Sequence, residues 1–165
     1  MSLEQLYQQV ILDHARERHG HGLREPRTGT VAAQSHQFNP LCGDEVTLRA
    51  AVAVAEGCPV VVDVSWEGEG CSISQAATSV LHDLVVGRDV TVADMVVAQF
   101  RGMVRSRGQV APDEDVLGDA AAFAGVGRHA NRVKCAMLGW TAFEDAVQRA
   151  VPQLYAVAHE GEETR

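Results

Sequence analysis

Several things are missing from this sequence, and each absence removes a class of function. No stretch approaches the ~18 consecutive apolar residues of a membrane-spanning helix. The N-terminus, MSLEQLYQQVILDH, lacks a basic segment followed by an apolar one, so it does not read as a signal peptide. There is no surplus of positive charge. The formal net charge is −8, opposite to what nucleic acid phosphates require of a binding surface. No internal repeat and no low-complexity stretch interrupts the chain. Four cysteines occur without a single Cys-x-x-Cys, which removes the main support for a thioredoxin or zinc-ribbon reading. The His-x-Glu and Pro-Cys-x-x-Cys signature of zinc deaminases is also missing.

What is present suffices for a packed domain. The chain has 165 residues, 46% of them apolar and 22% charged, which predicts one domain spanning 1–165 with a real core. A cytoplasmic location is expected. Four cysteines in a reducing compartment point to metal or sulfur chemistry before disulfides.

Hydrophobic periodicity divides the chain in two. Leu3, Leu6, Tyr7, Val10, Ile11 and His14 recur at helical spacing, and Ser2 with Gln5 forms a capping-box pattern, predicting a helix from Ser2 to about Arg18. A short strand is expected from about Thr30 to Phe38. Val46, Leu48, Ala50, Val52 and Val54 alternate with polar or small residues. After a turn at Glu56-Gly57-Cys58-Pro59, so do Val60, Val62, Val64 and Trp66. Together these predict a small antiparallel meander. The period then changes. Helices are predicted after Ser72, with Gln75 completing a capping box, and after Thr91 paired with Asp94. A polar loop covers Ser106 to Asp115, a short helical piece Val116 to Phe123, and a long helix about Asn131 to Leu154. Strands first and helices afterwards predict an α+β domain: a small antiparallel three-stranded sheet packed against several helices.

Three of the cysteines fall where backbone structure would present them. Cys42 lies in a Cys-Gly-Asp turn between predicted strands, Cys71 immediately precedes a helix start, and Cys135 follows closely on another. Helix N-termini favour anions by roughly 0.3–1 kcal/mol each when exposed, and so favour the thiolate form. Asp44, two residues from Cys42, can point to the same side of the chain. Three thiolates and a carboxylate make a four-ligand set suited to tetrahedral zinc or to an iron–sulfur cluster. Asp44 could also serve simply as a turn former. Arg132 and Lys134 place positive charge beside Cys135. Cys58, in a turn without a motif around it, reads as inert. His36 and His129 read as surface histidines, His14 as a packed one, and Trp66 and Trp140 as core.

These residues carry a resemblance. Asn39-Pro40-Leu41-Cys42-Gly43-Asp44 resembles the Asn-Pro-x-Cys-Gly-Asp motif of the SufU/IscU iron–sulfur cluster assembly proteins. Gly68-Glu69-Gly70-Cys71-Ser72-Ile73-Ser74 resembles their Gly-x-Gly-Cys-x-Ile-Ser loop, and Arg132-Val133-Lys134-Cys135-Ala136 their third motif. Leu12-Asp13-His14 is similar to their N-terminus. Isc-type scaffolds carry a histidine directly before the third cysteine. This chain has Lys134 there, together with a long segment at about Arg105 to Val116, and both features look like the SufU branch. One departure, Arg128-His129-Ala130, stands where a proline is usual. The resemblance implies zinc bound by Cys42, Asp44, Cys71 and Cys135. It further implies docking to a SufS-type cysteine desulfurase, acceptance of persulfide sulfur at Cys42, and delivery to downstream Suf assembly proteins or apo-proteins. On this reading the chain is a sulfurtransferase-like partner of the desulfurase and not a stand-alone enzyme. The alternative is a scaffold on which an iron–sulfur cluster is assembled on the same ligands and passed on.

Overall fold

A computed structural model describes residues 1–163. The elements run α1 (Leu3–Glu17), β1 (Val31–Phe38), β2 (Glu45–Ala55), β3 (Cys58–Glu69), α2 (Ser72–Val85), α3 (Val90–Val104), α4 (Glu114–Leu117), a 3₁₀ segment (Gly118–Arg128) and α5 (Ala130–Glu163). The three strands form one antiparallel sheet in the order β1-β2-β3, and the fold is α+β as the sequence predicts.

Local chemistry sets the element ends. Ser2 accepts a hydrogen bond from the Gln5 N–H, and the Gln5 side chain returns one to the Ser2 N–H, so α1 begins with the expected capping box. The β2–β3 hairpin turns at Glu56 and Gly57, both with positive φ, as a two-residue turn of this twist requires. Cys58 and Pro59 therefore belong to β3 and not to the turn. Two predicted caps move. The α2 N-cap is Cys71, not Ser72, and α3 is capped by Asp89, whose carboxylate accepts from the Thr91 N–H. The last helix continues beyond Leu154, through Pro152, to Glu163.

The sheet presents one face to the core. Val46, Leu48, Ala50 and Val52 of β2 are buried against α5. On β3 the alternation slips. A bulge opposite Ala51 and Val52 adds a residue, so Val61, Val64 and Trp66 are buried while Val60 and Val62 are half-exposed. A bulge shifts the inward phase by one residue, which periodicity alone could not register. Val54, predicted within the apolar stripe of β2, pairs with Pro59 beside the hairpin turn and is exposed.

Helix α5 is the central layer. One side covers the sheet, and the other packs on α2 and α3. Phe100 stacks on Trp140 with centroids 3.8 Å apart, and the Trp140 indole N–H donates to the Ala77 carbonyl. Gly139 permits this closeness: a Cβ there would stand 2.2 Å from Thr78 Oγ1. Helix α1 lies across α2 and the 3₁₀ segment. Among the described residues no helix is long and apolar enough to cross a membrane.

Candidate metal centre

The four residues singled out in the sequence meet where three chain segments converge: the β1–β2 turn, the start of α2 and the second turn of α5. The turn is built by Asn39. Its backbone N–H donates to the Asp44 carbonyl, its own carbonyl accepts from the Gly43 N–H, and its side chain accepts from the Leu41 N–H. Gly43 takes a φ of 75°, a conformation open to glycine, and the reversal lifts Cys42 outward while Asp44 turns in. Cys42 is exposed, and Asp44 is buried.

Asp44 sits at the N-terminus of α2. Its Oδ1 accepts from the Cys71 N–H at 3.2 Å, and its Oδ2 accepts from the Cys71 thiol at 3.3 Å. Gly70 makes room for it, since a Cβ at that position would lie 2.4 Å from Ser74 Oγ and 2.9 Å from Asp44 Cγ. Ser74 in turn donates to the Cys71 carbonyl. The helix end thus holds a carboxylate where orphan N–H groups and the helix dipole favour negative charge. Burial works to raise the Asp44 pKa. Hydrogen bonds from the Cys135, Cys71 and Cys42 thiols, with the Cys71 N–H, outweigh it and hold the carboxyl below its ordinary range.

Cys135 completes the set. Its Sγ lies 3.5 Å from that of Cys42, and both are free thiols. One ligand atom from each of Cys42, Asp44 and Cys135 lies within 4.8 Å of the others, and Cys71 joins through Asp44. Cys135 does not behave as a thiol at an exposed helix start. It is the sixth residue of α5, past the open N–H groups, and only 6% exposed. Burial, reinforced by hydrogen bonds to Asp44 and Cys42, pushes its thiol pKa up.

The remaining candidates fall away from the set. Cys58 is at the far end of the β2–β3 hairpin, roughly 30 Å away at about 3.3 Å per residue. Arg132 and Lys134 are exposed, and neither forms a side-chain hydrogen bond among the described residues. His129 lines the cleft near the thiols, and His36 pairs with Glu45 at the surface. Sequence reasoning missed Gly70 and Asn39 as builders of the site. Their signal was already in the two motifs, which flank the cysteines with residues that only the folded geometry explains.

A second group, His14, His19 and Asp83, also brings ligand-type atoms within 4.8 Å of one another. Each ring nitrogen already has a partner. His14 meets Ser79 and Asp119, and His19 meets Asp83 at 2.6 Å and Glu17 at 2.9 Å. This cluster ties the end of α1 to α2. It explains why His14, predicted to be packed, is buried on an otherwise apolar stripe.

The thiols open into a cleft of about 1040 Å³, walled by Tyr7 and Ile11 of α1 and by Val110 and Pro112 of the loop after α3. A segment of another molecule can enter there.

Known proteins share this architecture. A zinc-dependent sulfurtransferase SufU from Bacillus subtilis (strain 168) is 35% identical over 151 residues, covering 90% of this chain and 93% of that protein. An iron–sulfur cluster assembly scaffold protein IscU from Streptococcus pyogenes serotype M1 is 34% identical over 148 residues, covering 90% and 86%. Among solved structures, one from Fervidobacterium islandicum AW-1, described as a candidate scaffold protein for the SUF system, is 31% identical. It superposes with a TM-score of 0.68, covering 88% of this chain and 98% of that one. A NifU-like N-terminal protein from Brucella abortus, at 23% identity and a TM-score of 0.71, covers 90% and 96% and shares the fold. Residues 6–136 match the family described as the NifU-like N terminal domain, and on sequence and fold together the chain belongs to that family.

Proposed function

We propose that this protein accepts persulfide sulfur at Cys42 from a SufS-type cysteine desulfurase and passes it on in iron–sulfur cluster assembly, with zinc as its resident metal. The reading rests on one observation above all: an exposed cysteine on a glycine-containing turn stands 3.5 Å from a buried one, within a four-residue donor set. Thiolates about 2.3 Å from a tetrahedral zinc stand roughly 3.8 Å apart. The Cys42–Cys135 separation is close to that, and an Asp44 oxygen lies within 4.8 Å of both, so these three fit the ion as they stand. Cys71, whose Sγ is 3.3 Å from Asp44 Oδ2, lies outside that mutual set and would join as the fourth ligand by a shift of its side chain. Bound there, zinc would keep the thiols ionised and cross-link the three segments.

The chain's own residues divide the work. Cys71 is held as the N-cap of α2 and Cys135 is buried within α5, so both are anchored. Cys42 projects from a turn, and turns move more readily than packed helices. Its thiolate attacks the outer sulfur of the desulfurase persulfide. A new S–S bond forms on Cys42, the donor's S–S bond breaks, and the donor cysteine leaves as thiolate. Asp44, Cys71 and Cys135 hold their positions meanwhile. The similarity to a protein named a zinc-dependent sulfurtransferase supports this reading.

The similarity to a protein named an IscU scaffold supports the alternative, a cluster built on the same four ligands. The discriminating measurement mixes the protein with a SufS-type desulfurase and cysteine, then maps persulfide by mass spectrometry under non-reducing conditions. Label on Cys42, with desulfurase turnover raised by wild type and not by Cys42→Ala, is expected. Label confined to Cys135, or undiminished stimulation by Cys42→Ala, defeats the assignment. A brown protein with a stable cluster and little zinc favours the scaffold.

A further inference from the structure

The cleft that holds the thiols lies on one side of the Asn39–Leu41 ridge. On the other side is a separate groove of about 900 Å³, bounded by the end of β1, the start of α5 and the loop after α3. Its apolar part includes Phe38, 55% exposed, with Met137 beneath. Its rim carries Arg105, Arg107, Arg128 and Lys134, all exposed, and no carboxylate residue lines it.

This charge distribution runs against the rest of the molecule. The formal net charge is −8, and Lys134 is the chain's only lysine. Of the arginines elsewhere, Arg16, Arg24, Arg49, Arg101 and Arg149 pair with carboxylates, while Arg18, Arg27, Arg88 and Arg132 stand singly and are not gathered around one groove among the described residues. None of the four rim cations has an ion-pair partner among the described residues. Arg128 leans over Gly108, its Nε 3.0 Å from where a Cβ would stand, which keeps it close to the Arg105–Arg107 loop. Like charges gathered without counter-charge repel one another, so an anionic occupant is favoured. A small inorganic anion would leave Phe38 and the apolar part of the groove uncovered, whereas a protein segment with both carboxylates and apolar side chains covers both.

We propose that this groove seats an acidic segment of the cysteine desulfurase that loads Cys42, an inference that rests on the function proposed above. Position argues for that partner. Leu41, 69% exposed, adjoins Cys42 and borders both the cleft and the groove. A protein that reaches Cys42 must cover Leu41, and Arg128, which lines both the cleft and the groove, carries the positive charge from one into the other. The groove orients the partner and takes no part in sulfur transfer.

The test uses the desulfurase assay with the protein carrying its metal. Arg105→Glu/Arg107→Glu is compared with Arg27→Glu/Arg88→Glu, which changes net charge equally at exposed sites away from the groove. The groove variant should raise the concentration giving half-maximal stimulation roughly fivefold to tenfold, as expected for losing a few exposed charge pairs. Its maximal turnover and zinc content should stay within about twofold of wild type, and the control pair should change neither. Added salt should weaken wild-type stimulation more than that of the groove variant. Should the groove variant prove unstable, Arg105→Gln/Arg107→Gln must show the same trend at smaller size. Equal weakening by the control pair, or none by the groove pair, overturns this inference while leaving the proposed function intact. A wild type that does not stimulate the desulfurase overturns both.

Discussion

At the scale of single residues, the ligand set makes the sharpest prediction. Wild type should hold about one zinc per chain. Cys42→Ala, Cys71→Ala and Cys135→Ala should each lose it, and Cys58→Ala should keep it. Asp44→Ala should weaken binding less, because water can replace a carboxylate oxygen. Metal analysis after gel filtration checks this, and loss of zinc in Cys58→Ala alone would show the set to be misassigned. Gly70 offers a test of the surroundings. A methyl group there meets Ser74 and Asp44, so Gly70→Ala should displace the Asp44 carboxylate and lower zinc affinity about tenfold to a hundredfold, measured by chelator competition. The cysteines and Asp44 were legible from sequence because their motifs are local. The state of Cys135 was not. Its burial depends on which face of α5 meets the β1–β2 turn, a fact of packing.

At the scale of elements, the joint between α1 and α2 is polar. His19 follows the end of α1 and meets Asp83 of α2 and Glu17 of α1. The hydrogen bond to Asp83 raises the His19 pKa above its ordinary value, against an opposing effect of burial. The folded state therefore binds that proton more tightly than the unfolded one. The contribution is complete below the unfolded value of about 6.5 and is lost as pH rises through the higher folded value. Thermal melts of metal-free protein between pH 6 and 8 should show this decline in wild type, and Asp83→Asn should flatten it; an equal slope in both would exclude His19 as its source. Element identities were readable from periodicity, and the α1 capping box from two side chains. The caps of α2 and α3 were misplaced by one or two residues. Several neighbouring residues could cap each helix, and only the path of the incoming chain selects among them.

At the scale of the whole molecule, α5 links the centre to the core. It is sandwiched between the sheet and α2, and it carries Cys135 near its start and the buried Trp140 five residues further on. The core is complete without metal, so chelator-treated protein should keep its far-UV circular dichroism. Zinc should then raise the melting temperature by mass action, about 2.7 kcal/mol of added stability at a hundredfold excess over Kd. Loss of secondary structure on chelation would contradict this and make the metal a folding cofactor. The sequence alone determined the α+β order of elements, the three cysteine motifs and the likeness to iron–sulfur assembly proteins. All of these are written in short windows, where spacing and residue type suffice. Tertiary structure alone decided that the bulge at Ala51 and Val52 reverses the inward phase of β3. It also decided that Asp44 closes the N-terminus of α2, and that four unpaired cations from three segments line one groove. Those outcomes depend on contacts between residues far apart in the chain, and long-range packing leaves no periodic trace in the sequence for a local reading to find.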